Sequence, residues 1–434
     1  MIINKKGPLK GSMTVPGDKS ISHRAIMLGA LSEGITEVDN FLMGDDCLST
    51  ISCFRQLGIP IDLDSNNRRV TIHGKGLDGL VKPNNVLDAG NSGTTVRLLS
   101  GILAGQGFPS TITGDASIQK RPMGRILAPL EQMGADIKSV NDDLKAPLNI
   151  NSSDKALRSI DMNHILKGIH YQSPVASAQV KSCVLLAGLY ADNETKVTEP
   201  ALSRNHTELM LSEFGASVTV DKNTASILPR PKLIGRKLSI PGDISSAAYF
   251  IAAALIVPNS ELLIKNVGIN PTRNGIINVC HMMGADIDLK NIRKDGGEQV
   301  ADILVRHSNL KGIEISGSII PTLIDEIPII AVLSCFAKGK TIIKNAEELK
   351  VKESNRIELI ENNLSAMGAD ITATDDGMII EGDCPLHGAI IDSKMDHRIA
   401  MAFTVAGLVA DGDTQILNPE CVNVSYPDFF ENIN

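Results

Sequence analysis

The distribution of apolar and polar residues along the chain predicts two kinds of helix in alternation. Helices of the first kind are poor in charge and rich in Ala, Leu, Ile and Gly. They occur six times, at 24–34, 95–105, 179–191, 246–257, 327–337 and 399–412. Because a helix that is apolar on every side is usually buried on every side, we expect six buried helices.

Helices of the second kind are amphipathic, end at a glycine and precede a strand. The pattern occurs at 54–63, 130–139, 211–220, 280–289 and 364–373. Glycine readily adopts the left-handed conformation that ends a helix, so each segment reads as helix, stop and strand. Short strands are predicted at 68–74, 301–307 and 341–347, and a sixth outer helix at 426–434. We expect the strands that this last unit lacks to come from residues 1–15.

A Pro-Gly-Asp turn before a buried helix occurs twice, at 16–18 and 241–243. The repeat predicts an α/β fold of two domains with three units each. We assign 1–13 with 232–434 to domain 1 and 14–231 to domain 2. The chain would cross a hinge near 14–20 and 228–241, and the domains would close on a ligand in the cleft between them. The alternative is a rigid α/β repeat protein without hinge motion.

Composition narrows the classes of function that this fold could serve. With 434 residues and 43% hydrophobic content, the chain can bury more than one core. A formal net charge of -8 argues against a general nucleic-acid or anionic-membrane surface. The start of the chain lacks the apolar segment of a secretory signal, and no apolar run reaches the ~18 residues of a membrane span. The seven cysteines form no CxxC pair or metal-spaced cluster, so we expect reduced thiols in a cytoplasmic protein without a metal site.

Charged and polar residues occur where the buried helices begin. The first turn has Lys19, His23 and Arg24, whereas the repeat has Ile244, Ala248 and Tyr249 at the matching positions, so the scaffold does not require the charges. Helix N-termini attract anions, and a cation there is favourable when an anionic ligand lies between. Ser20 lies in the same turn, and similar residues begin other buried helices: Asn91, Thr94, Arg97, Ser177, Gln179, Lys181, Asp396 and Arg398. Taken singly, such residues can also be helix caps or solvated side chains.

Two further stretches and one carboxylate suggest chemistry on a small polyanion. Residues 119–125 include Arg121 beside a proline, and residues 349–356 include Lys352, Glu353 and Arg356. Arginine forks suit carboxylate and phosphate groups. Glu353 would ordinarily form a solvated ion pair, but in a closed cleft it could act as a general acid or base. Asp325 lies in an apolar stretch where a lone surface carboxylate is unexpected.

Together, seven motifs resemble the 5-enolpyruvylshikimate-3-phosphate synthase family, the 3-phosphoshikimate 1-carboxyvinyltransferases. They are VPGDKSISHRA, AGNSGTTVR, KRPM, SPVASAQVKS, SRNHTE, VKESNR and DHRIAM, and they keep the order and spacing of the family. The resemblance implies two domains, each of three βαβαββ units around buried parallel helices. It also implies transfer of the enolpyruvyl group of phosphoenolpyruvate to the 5-hydroxyl of shikimate 3-phosphate, by addition and elimination through a tetrahedral ketal. This shikimate-pathway reaction uses no metal or organic cofactor, and we expect a monomer.

The resemblance also implies roles for individual residues. Shikimate 3-phosphate is expected on Lys19, Ser20, Arg24, Ser177, Gln179, Arg204, Asp325 and Lys352. Phosphoenolpyruvate is expected on Lys19, Asn91, Gly93, Thr94, Arg121, Gln179, Arg356 and Arg398. Asp325 would take the proton of the attacking hydroxyl, Glu353 would protonate the methylene carbon, and Lys19 would assist proton transfer and neutralise developing charge.

The chain departs from the family pattern at some positions. Ala178 lies where some members have a phosphate-binding serine, so that contact would come from Ser177 or Lys181. Val424 lies where some members have a lysine for phosphoenolpyruvate.

Three alternatives to this function follow from the residues and the shared fold. The enolpyruvyl transferases that use UDP-N-acetylglucosamine share the fold, but they usually have a cysteine in the loop before the Arg-Pro motif, and residues 113–123 contain none. A non-catalytic sensor or carrier of a phosphorylated metabolite would bind the substrates without turnover. An RNA-end-processing enzyme is disfavoured by the acidic balance and by an aromatic content of 3%.

Overall fold

The computed structural model describes residues 1–152 and 166–433, and buried and outer helices alternate along this part of the chain. The helices are α1 (Lys19–Leu31), α2 (Asp45–Gln56), α3 (Gly93–Ala104), α4 (Gly124–Gln132), α5 (Ala178–Gly188), α6 (His206–Glu213), α7 (Ile244–Ile256), α8 (Gly275–Met282), α9 (Ile327–Cys335), α10 (Arg356–Ala366), α11 (His397–Gly407) and α12 (Phe429–Ile433). Short 3-10 helices are present at Ile118–Lys120, Gly317–Thr322, Glu347–Val351 and Pro419–Val424.

The strands number from β1 to β23 within the described residues, and most of them are short. They are β1 (Ile2–Ile3), β2 (Lys10–Thr14), β3 (Glu33–Asp39), β4 (Ile61–Asp64), β5 (Arg69–Lys75), β6 (Leu87–Asp88), β7 (Ser110–Thr113), β8 (Ile137–Ser139), β9 (Leu148–Ile150), β10 (His170–Gln172), β11 (Thr195–Thr198), β12 (Val218–Asp221), β13 (Thr224–Ile227), β14 (Lys237–Ser239), β15 (Glu261–Gly268), β16 (Asp286–Asp295), β17 (Glu298–Arg306), β18 (Glu314–Ile315), β19 (Lys340–Ile343), β20 (Asp370–Ala373), β21 (Met378–Glu381), β22 (Ile390–Ile391) and β23 (Thr414–Ile416).

These strands form six small sheets with one recurring pattern. Five sheets have four strands, in the orders β14-β3-β5-β4, β6-β7-β9-β8, β10-β11-β13-β12, β2-β15-β17-β16 and β18-β19-β21-β20. In each, the first pair is parallel and the other two pairs are antiparallel. The sixth sheet has three strands in the order β1-β23-β22.

The described residues divide into two compact units. The C-terminal unit comprises Met1–Pro16 and Pro241–Asn434, and the N-terminal unit comprises Gly17–Ile240. Residues 232–240, which the sequence assigned to the C-terminal half, lie in the N-terminal unit because β14 pairs with β3. The first residues of the chain contribute to two sheets of the C-terminal unit, since β1 pairs with β23 and β2 pairs with β15.

The prediction of six buried helices is confirmed. Helices α1, α3 and α5 lie in the core of the N-terminal unit, and α7, α9 and α11 lie in the core of the C-terminal unit. Every residue of α7, α9 and α11 is buried. None of the helices that the structure describes is long and apolar enough to cross a membrane.

Steric constraints explain why glycine occurs at the predicted helix ends and in the repeated Pro-Gly-Asp turn. All five predicted stops have positive φ, from 83° at Gly58 to 102° at Gly215, which is the left-handed conformation that ends a helix. In the first Pro-Gly-Asp turn, a Cβ on Gly17 would lie 1.9 Å from the carbonyl oxygen of Asn40. The aspartates cap the helices that follow: Asp18 accepts a hydrogen bond from the backbone N of Ile21, and Asp243 from that of Ser245.

Candidate active site

In the N-terminal unit, Lys19 begins α1 and faces a carboxylate that the sequence did not single out. Its Nζ lies 3.0 Å from Oδ2 of Asp46, in the first turn of α2. The Lys19 side chain remains 18% exposed, compared with 8% for Asp46. The ammonium group is therefore held at a helix N-terminus by a partner on the neighbouring helix, and part of the Lys19 side chain remains exposed.

The guanidinium of Arg24 is fixed by groups from three helices. Its Nε donates to Oγ1 of Thr207 at 2.6 Å, its Nη2 to Oγ of Ser182 at 2.8 Å, and its Nη1 to the carbonyl oxygen of Ser20 at 2.9 Å. Only 5% of Arg24 is exposed. A buried charge fixed by hydroxyl and carbonyl oxygens has little freedom to move, so the α1, α5 and α6 helices set its direction.

His23, next to Arg24, belongs to a buried chain of hydroxyl groups. Its Nδ1 lies 2.7 Å from Oγ1 of Thr50, which lies 2.7 Å from Oγ1 of Thr95. Thr95 in turn donates to Oγ of Ser92, the residue that caps α3. Burial, and then the positive charges of Lys19 and Arg24, hold the pKa of His23 well below its usual value. The imidazole is therefore neutral and links the starts of α1 and α3.

A second cluster forms where α3 begins. Nη1 of Arg97 donates to Oε1 of Gln179 at 2.8 Å, and Nε2 of Gln179 donates to Oγ1 of Thr94 at 3.1 Å. Arg97 thus joins two of the predicted ligands, although the sequence analysis did not count it among the binding residues. The position of Arg97, one helical turn after the Asn-Ser-Gly segment, could have indicated that it lies at this site.

The same cluster includes the predicted phosphoenolpyruvate residues from two other motifs. Nη2 of Arg121 donates to Oδ1 of Asn91 at 3.3 Å. A Cβ on Gly93 would lie 2.8 Å from Nη1 of Arg97 and 3.3 Å from Nη1 of Arg121. The absence of a side chain at Gly93 therefore lets two guanidinium groups approach the N-terminus of α3, which favours an anion there.

Ser177 and Lys181 have different roles at the start of α5. Ser177 caps the helix, and its hydroxyl oxygen accepts from the backbone N of Val180. Lys181 is 2% exposed, and its Nζ lies 2.9 Å from Oε2 of Glu199 and 2.8 Å from Oε1 of Glu208. Because Lys181 is committed to two buried carboxylates, Ser177 is the better candidate for the phosphate contact that Ala178 lacks. Arg204 lies in the loop between β11 and α6.

In the C-terminal unit, Arg356 holds three carboxylates. Its Nε donates to Oδ2 of Asp396 at 2.8 Å, its Nη2 to Oε2 of Glu353, and its Nη1 lies 3.5 Å from Oδ1 of Asp325. Burial opposes the charged form of Arg356, but the carboxylates of Asp396 and Glu353 outweigh it and raise the pKa. Asp325 and Glu353, which the family resemblance predicts as the two carboxylates among the catalytic residues, therefore share one guanidinium.

Arg398 lies against the other side of Asp325. Its Nη2 is 3.6 Å from Oδ2 of Asp325, and its Nη1 is 3.8 Å from Oε1 of Glu326. Lys352 is half-buried, and desolvation lowers its pKa despite the negative charges of Asp325 and Glu348. Two arginines thus lie against Asp325, and the positive charge of Lys352 is close enough to interact with it.

The exposed fraction of the side chain distinguishes the two carboxylates that a substrate could reach from the one that it could not. The side chains of Asp325 and Glu353 are 13% and 22% exposed, whereas that of Asp396 is fully buried. Asp396 caps α11 by accepting from the backbone N of Arg398, and it also accepts from Oγ of Ser354. Asp396 therefore anchors the two arginines, while Asp325 and Glu353 remain accessible.

The sequence motifs did not indicate a further buried arginine, Arg273. Nη2 of Arg273 donates to Oδ1 of Asp243 at 3.1 Å and to Oγ of Ser245. Ser245 donates in turn to Oε1 of Glu326. This network connects the start of α7 with Arg398. Across residues 1–152 and 166–433, no group of three or more His, Cys, Asp or Glu side chains could hold a metal ion.

Comparison with known proteins places this arrangement in a family. The sequence model of EPSP synthase (3-phosphoshikimate 1-carboxyvinyltransferase) matches residues 3–433. The 3-phosphoshikimate 1-carboxyvinyltransferase of Thermoanaerobacter sp. (strain X514) is 58% identical over 429 residues, covering 99% of this chain and 98% of the relative. That of Brevibacillus brevis is 56% identical over 423 residues, covering 98% and 96%.

Solved structures agree with the sequence comparison. An EPSP synthase from Acinetobacter baumannii matches with a TM-score of 0.87 and 46% identity, over 99% of this chain and 96% of the other. The enolpyruvyl transferase NikO from Streptomyces tendae matches with a TM-score of 0.80 over 99% and 95%, and at 16% identity it shows the fold alone. The predicted two-domain enolpyruvyl transferase fold is confirmed. Because the family model covers nearly every residue and the relatives are more than half identical, this chain belongs to the EPSP synthase family.

Proposed function

We propose that this chain transfers the enolpyruvyl group of phosphoenolpyruvate to the 5-hydroxyl of shikimate 3-phosphate and releases phosphate. The observation that carries the proposal is the pair of accessible carboxylates, Asp325 and Glu353, held by one buried guanidinium beside further cations. The reaction needs a base for the hydroxyl and an acid for the methylene carbon, so two carboxylates in distinct surroundings suit it. The activity named for the relatives at 52–58% identity supports the same reaction.

In this proposal, residues of both units bind each substrate. Shikimate 3-phosphate is held by Lys19, Ser20, Arg24, Ser177, Gln179 and Arg204 of the N-terminal unit and by Asp325 and Lys352 of the C-terminal unit. Phosphoenolpyruvate is held by Lys19, Asn91, Gly93, Thr94, Arg121 and Gln179 of the first and by Arg356 and Arg398 of the second. Both substrates are multiply charged anions, which suits cations held rigidly by buried partners.

The proposed chemistry has an addition step and an elimination step. Asp325 accepts the proton of the 5-hydroxyl as its oxygen bonds to C2 of phosphoenolpyruvate, and Glu353 donates a proton to C3, which becomes a methyl group. In the second step, the C2–O bond to phosphate breaks, a methyl proton passes to the Glu353 carboxylate as the double bond reforms, and Asp325 gives its proton to the departing phosphate. Lys19 neutralises the charge that develops near the phosphate. These roles need proton transfer and charge stabilisation by side chains alone, without metal or organic cofactor.

We also propose that the enzyme works as a monomer in the cytoplasm. The seven cysteines are all thiols, and six of them are buried, which suits a reducing compartment. Size-exclusion chromatography with light scattering would give a mass near 46.3 kDa for the monomer. A mass near twice that value would contradict the proposal.

An acceptor competition distinguishes the proposed activity from its closest rival. The protein is incubated with phosphoenolpyruvate and equal amounts of shikimate 3-phosphate and UDP-N-acetylglucosamine, first without and then with EDTA, and the products are identified by mass spectrometry. We expect the enolpyruvyl ether of shikimate 3-phosphate alone. An enolpyruvyl ether of the nucleotide sugar would favour the rival transferase, and loss of activity on adding EDTA would contradict the metal-free chemistry.

A further inference from the structure

A buried ion cluster lies beside the residues proposed to bind shikimate 3-phosphate, and it includes none of those residues. Nζ of Lys181 lies between Oε2 of Glu199 and Oε1 of Glu208, at 2.9 Å and 2.8 Å. The three side chains are 1–3% exposed. They come from α5, from the segment after β11 and from α6, so the cluster connects three separate parts of the N-terminal unit.

Glu199 uses both carboxylate oxygens to hold backbone at two places. Its Oε1 accepts from the backbone N of Ser177 at 2.9 Å. Its Oε2 accepts from Oγ of Ser203 at 2.8 Å and from the backbone N of Ser203 at 3.3 Å. Ser177 is the cap of α5, and Ser203 directly precedes Arg204.

We propose that Glu199 is a positioning residue for shikimate 3-phosphate, fixing Ser177 and the loop that bears Arg204 in one geometry, with Lys181 as its counter-ion. The inference rests on the proposed function, because Ser177 and Arg204 are assigned to that substrate. Glu199 is too deeply buried to touch a ligand itself. Its effect passes through the two residues whose backbone it holds.

The chemistry of the carboxylate is essential to this role. Every group that faces Glu199 in these contacts is a donor: two backbone N–H groups, one hydroxyl and one ammonium. A glutamine at this position has one acceptor oxygen and one donating NH2 group. In Glu199→Gln, the NH2 group must therefore face a donor. Either the Ser177 contact or the Ser203 contact is then lost.

The test compares Glu199→Gln with Glu194→Gln, which removes a carboxylate from a surface pair with Lys196 close by in the chain. We expect Glu199→Gln to raise the KM for shikimate 3-phosphate about tenfold, as loss of one charge-assisted hydrogen bond would. The KM for phosphoenolpyruvate should stay within about twofold of wild type. Glu194→Gln should change neither value. Equal increases in both KM values, or no change in either, would overturn the inference.

A milder variant keeps the test decisive if Glu199→Gln does not fold. Ser203→Ala removes one hydrogen bond to Glu199 and leaves the ion cluster intact. We expect it to raise the KM for shikimate 3-phosphate about threefold at an unchanged melting temperature. An unchanged KM would overturn the inference. A wild-type protein that fails to bind shikimate 3-phosphate would instead refute the proposed function.

Discussion

Arg356 contacts three carboxylates, and their different exposure gives them different roles. Asp396 is fully buried, and its pKa stays below the usual value because the charge of Arg356 overcomes the effect of burial. Asp325 and Glu353 are at the accessible side of the same guanidinium. The proton transfers of the proposed reaction therefore belong to Asp325 and Glu353, and Asp396 maintains the arginine that orients them.

Asp325→Asn and Glu353→Gln should each lower kcat by about 100-fold or more, because each removes a proton-transfer group while keeping its shape. Ligand dissociation constants should change much less, since neither variant removes a cation. Phosphate release and calorimetry would measure the two effects. Asp375→Asn, at an exposed carboxylate of the same unit, serves as the control. A variant of either catalytic residue that keeps wild-type turnover would contradict its assignment.

The buried, neutral His23 makes stability depend on pH. Its pKa is lowered in the folded protein but is about 6.5 in the unfolded chain, so the unfolded chain binds the extra proton as the pH falls below about 6.5. The stability contribution is complete above that pH and decreases below it, by up to about 1.4 kcal/mol per pH unit.

Unfolding in urea between pH 5.5 and 7.5 tests this expectation. Wild-type protein should lose more stability on acidification than His23→Asn, and the difference between the two should narrow as the pH falls. Parallel pH profiles for wild type and His23→Asn would show that His23 does not remain neutral in the fold.

At the residue scale, the motifs indicated which predicted binding residues would lie together, but they did not indicate the carboxylates that hold the lysines. Asn91, Arg121 and Gln179 come from different motifs, yet the structure brings them to the start of α3. No motif pointed to Asp46 as the partner of Lys19 or to Glu199 as a partner of Lys181. Such pairs depend on which helices become neighbours, and that information is absent from the local pattern.

At the element scale, close contact between buried helices depends on small residues. Gly101 of α3 lies against α5, and a Cβ there would be 2.3 Å from the carbonyl oxygen of Cys183. Backbone atoms cannot move aside as a flexible side chain can. The two helices would have to separate, which disturbs the packing of the core around them.

Gly101→Ala should therefore destabilise the protein by about 1–3 kcal/mol, the usual cost of overpacking a core. Gly107→Ala is the matched control, because a Cβ at Gly107 meets nothing within 4 Å. Thermal unfolding of the two variants measures the difference. Equal melting temperatures for Gly101→Ala and Gly107→Ala would contradict the account of how α3 and α5 pack.

Helix type and helix ends were predictable from the sequence, whereas strand partners were only partly so. The apolar segments and the glycine stops depend on local composition and backbone conformation, and all appear in the structure. The N-terminal segment was expected to complete the last unit, but only β1 does so, and β2 joins β15. Strand pairing joins residues far apart in the chain, and short strands have little pattern to specify a partner.

At the scale of the whole molecule, the proposed substrate residues are divided between two compact units with separate cores. Arg24 and Arg121 lie in the N-terminal unit, and Arg356 and Arg398 in the C-terminal unit. The reaction joins two substrates, so cations from both units should be needed for one turnover. The chain is acidic overall, at a formal charge of -8, so anion binding depends on these local cations.

Mixing two inactive variants tests whether a single chain supplies all the cations that one turnover needs. Arg24→Ala and Arg398→Ala should each lower kcat/KM by at least about 100-fold, since each removes a buried cation that the proposal places on a substrate. An equimolar mixture should remain as inactive as its components if the enzyme is a monomer. Recovery of a substantial part of the wild-type activity would mean that two chains share one site.

The central claim is that this chain makes one new bond between its two substrates for each phosphate that it releases. A time course of phosphate release, run with both substrates and with each one alone, tests it most directly. We predict release only when phosphoenolpyruvate and shikimate 3-phosphate are both present, with one phosphate formed for each shikimate 3-phosphate consumed. Binding of both compounds without release of phosphate, or release from phosphoenolpyruvate alone, would contradict the claim.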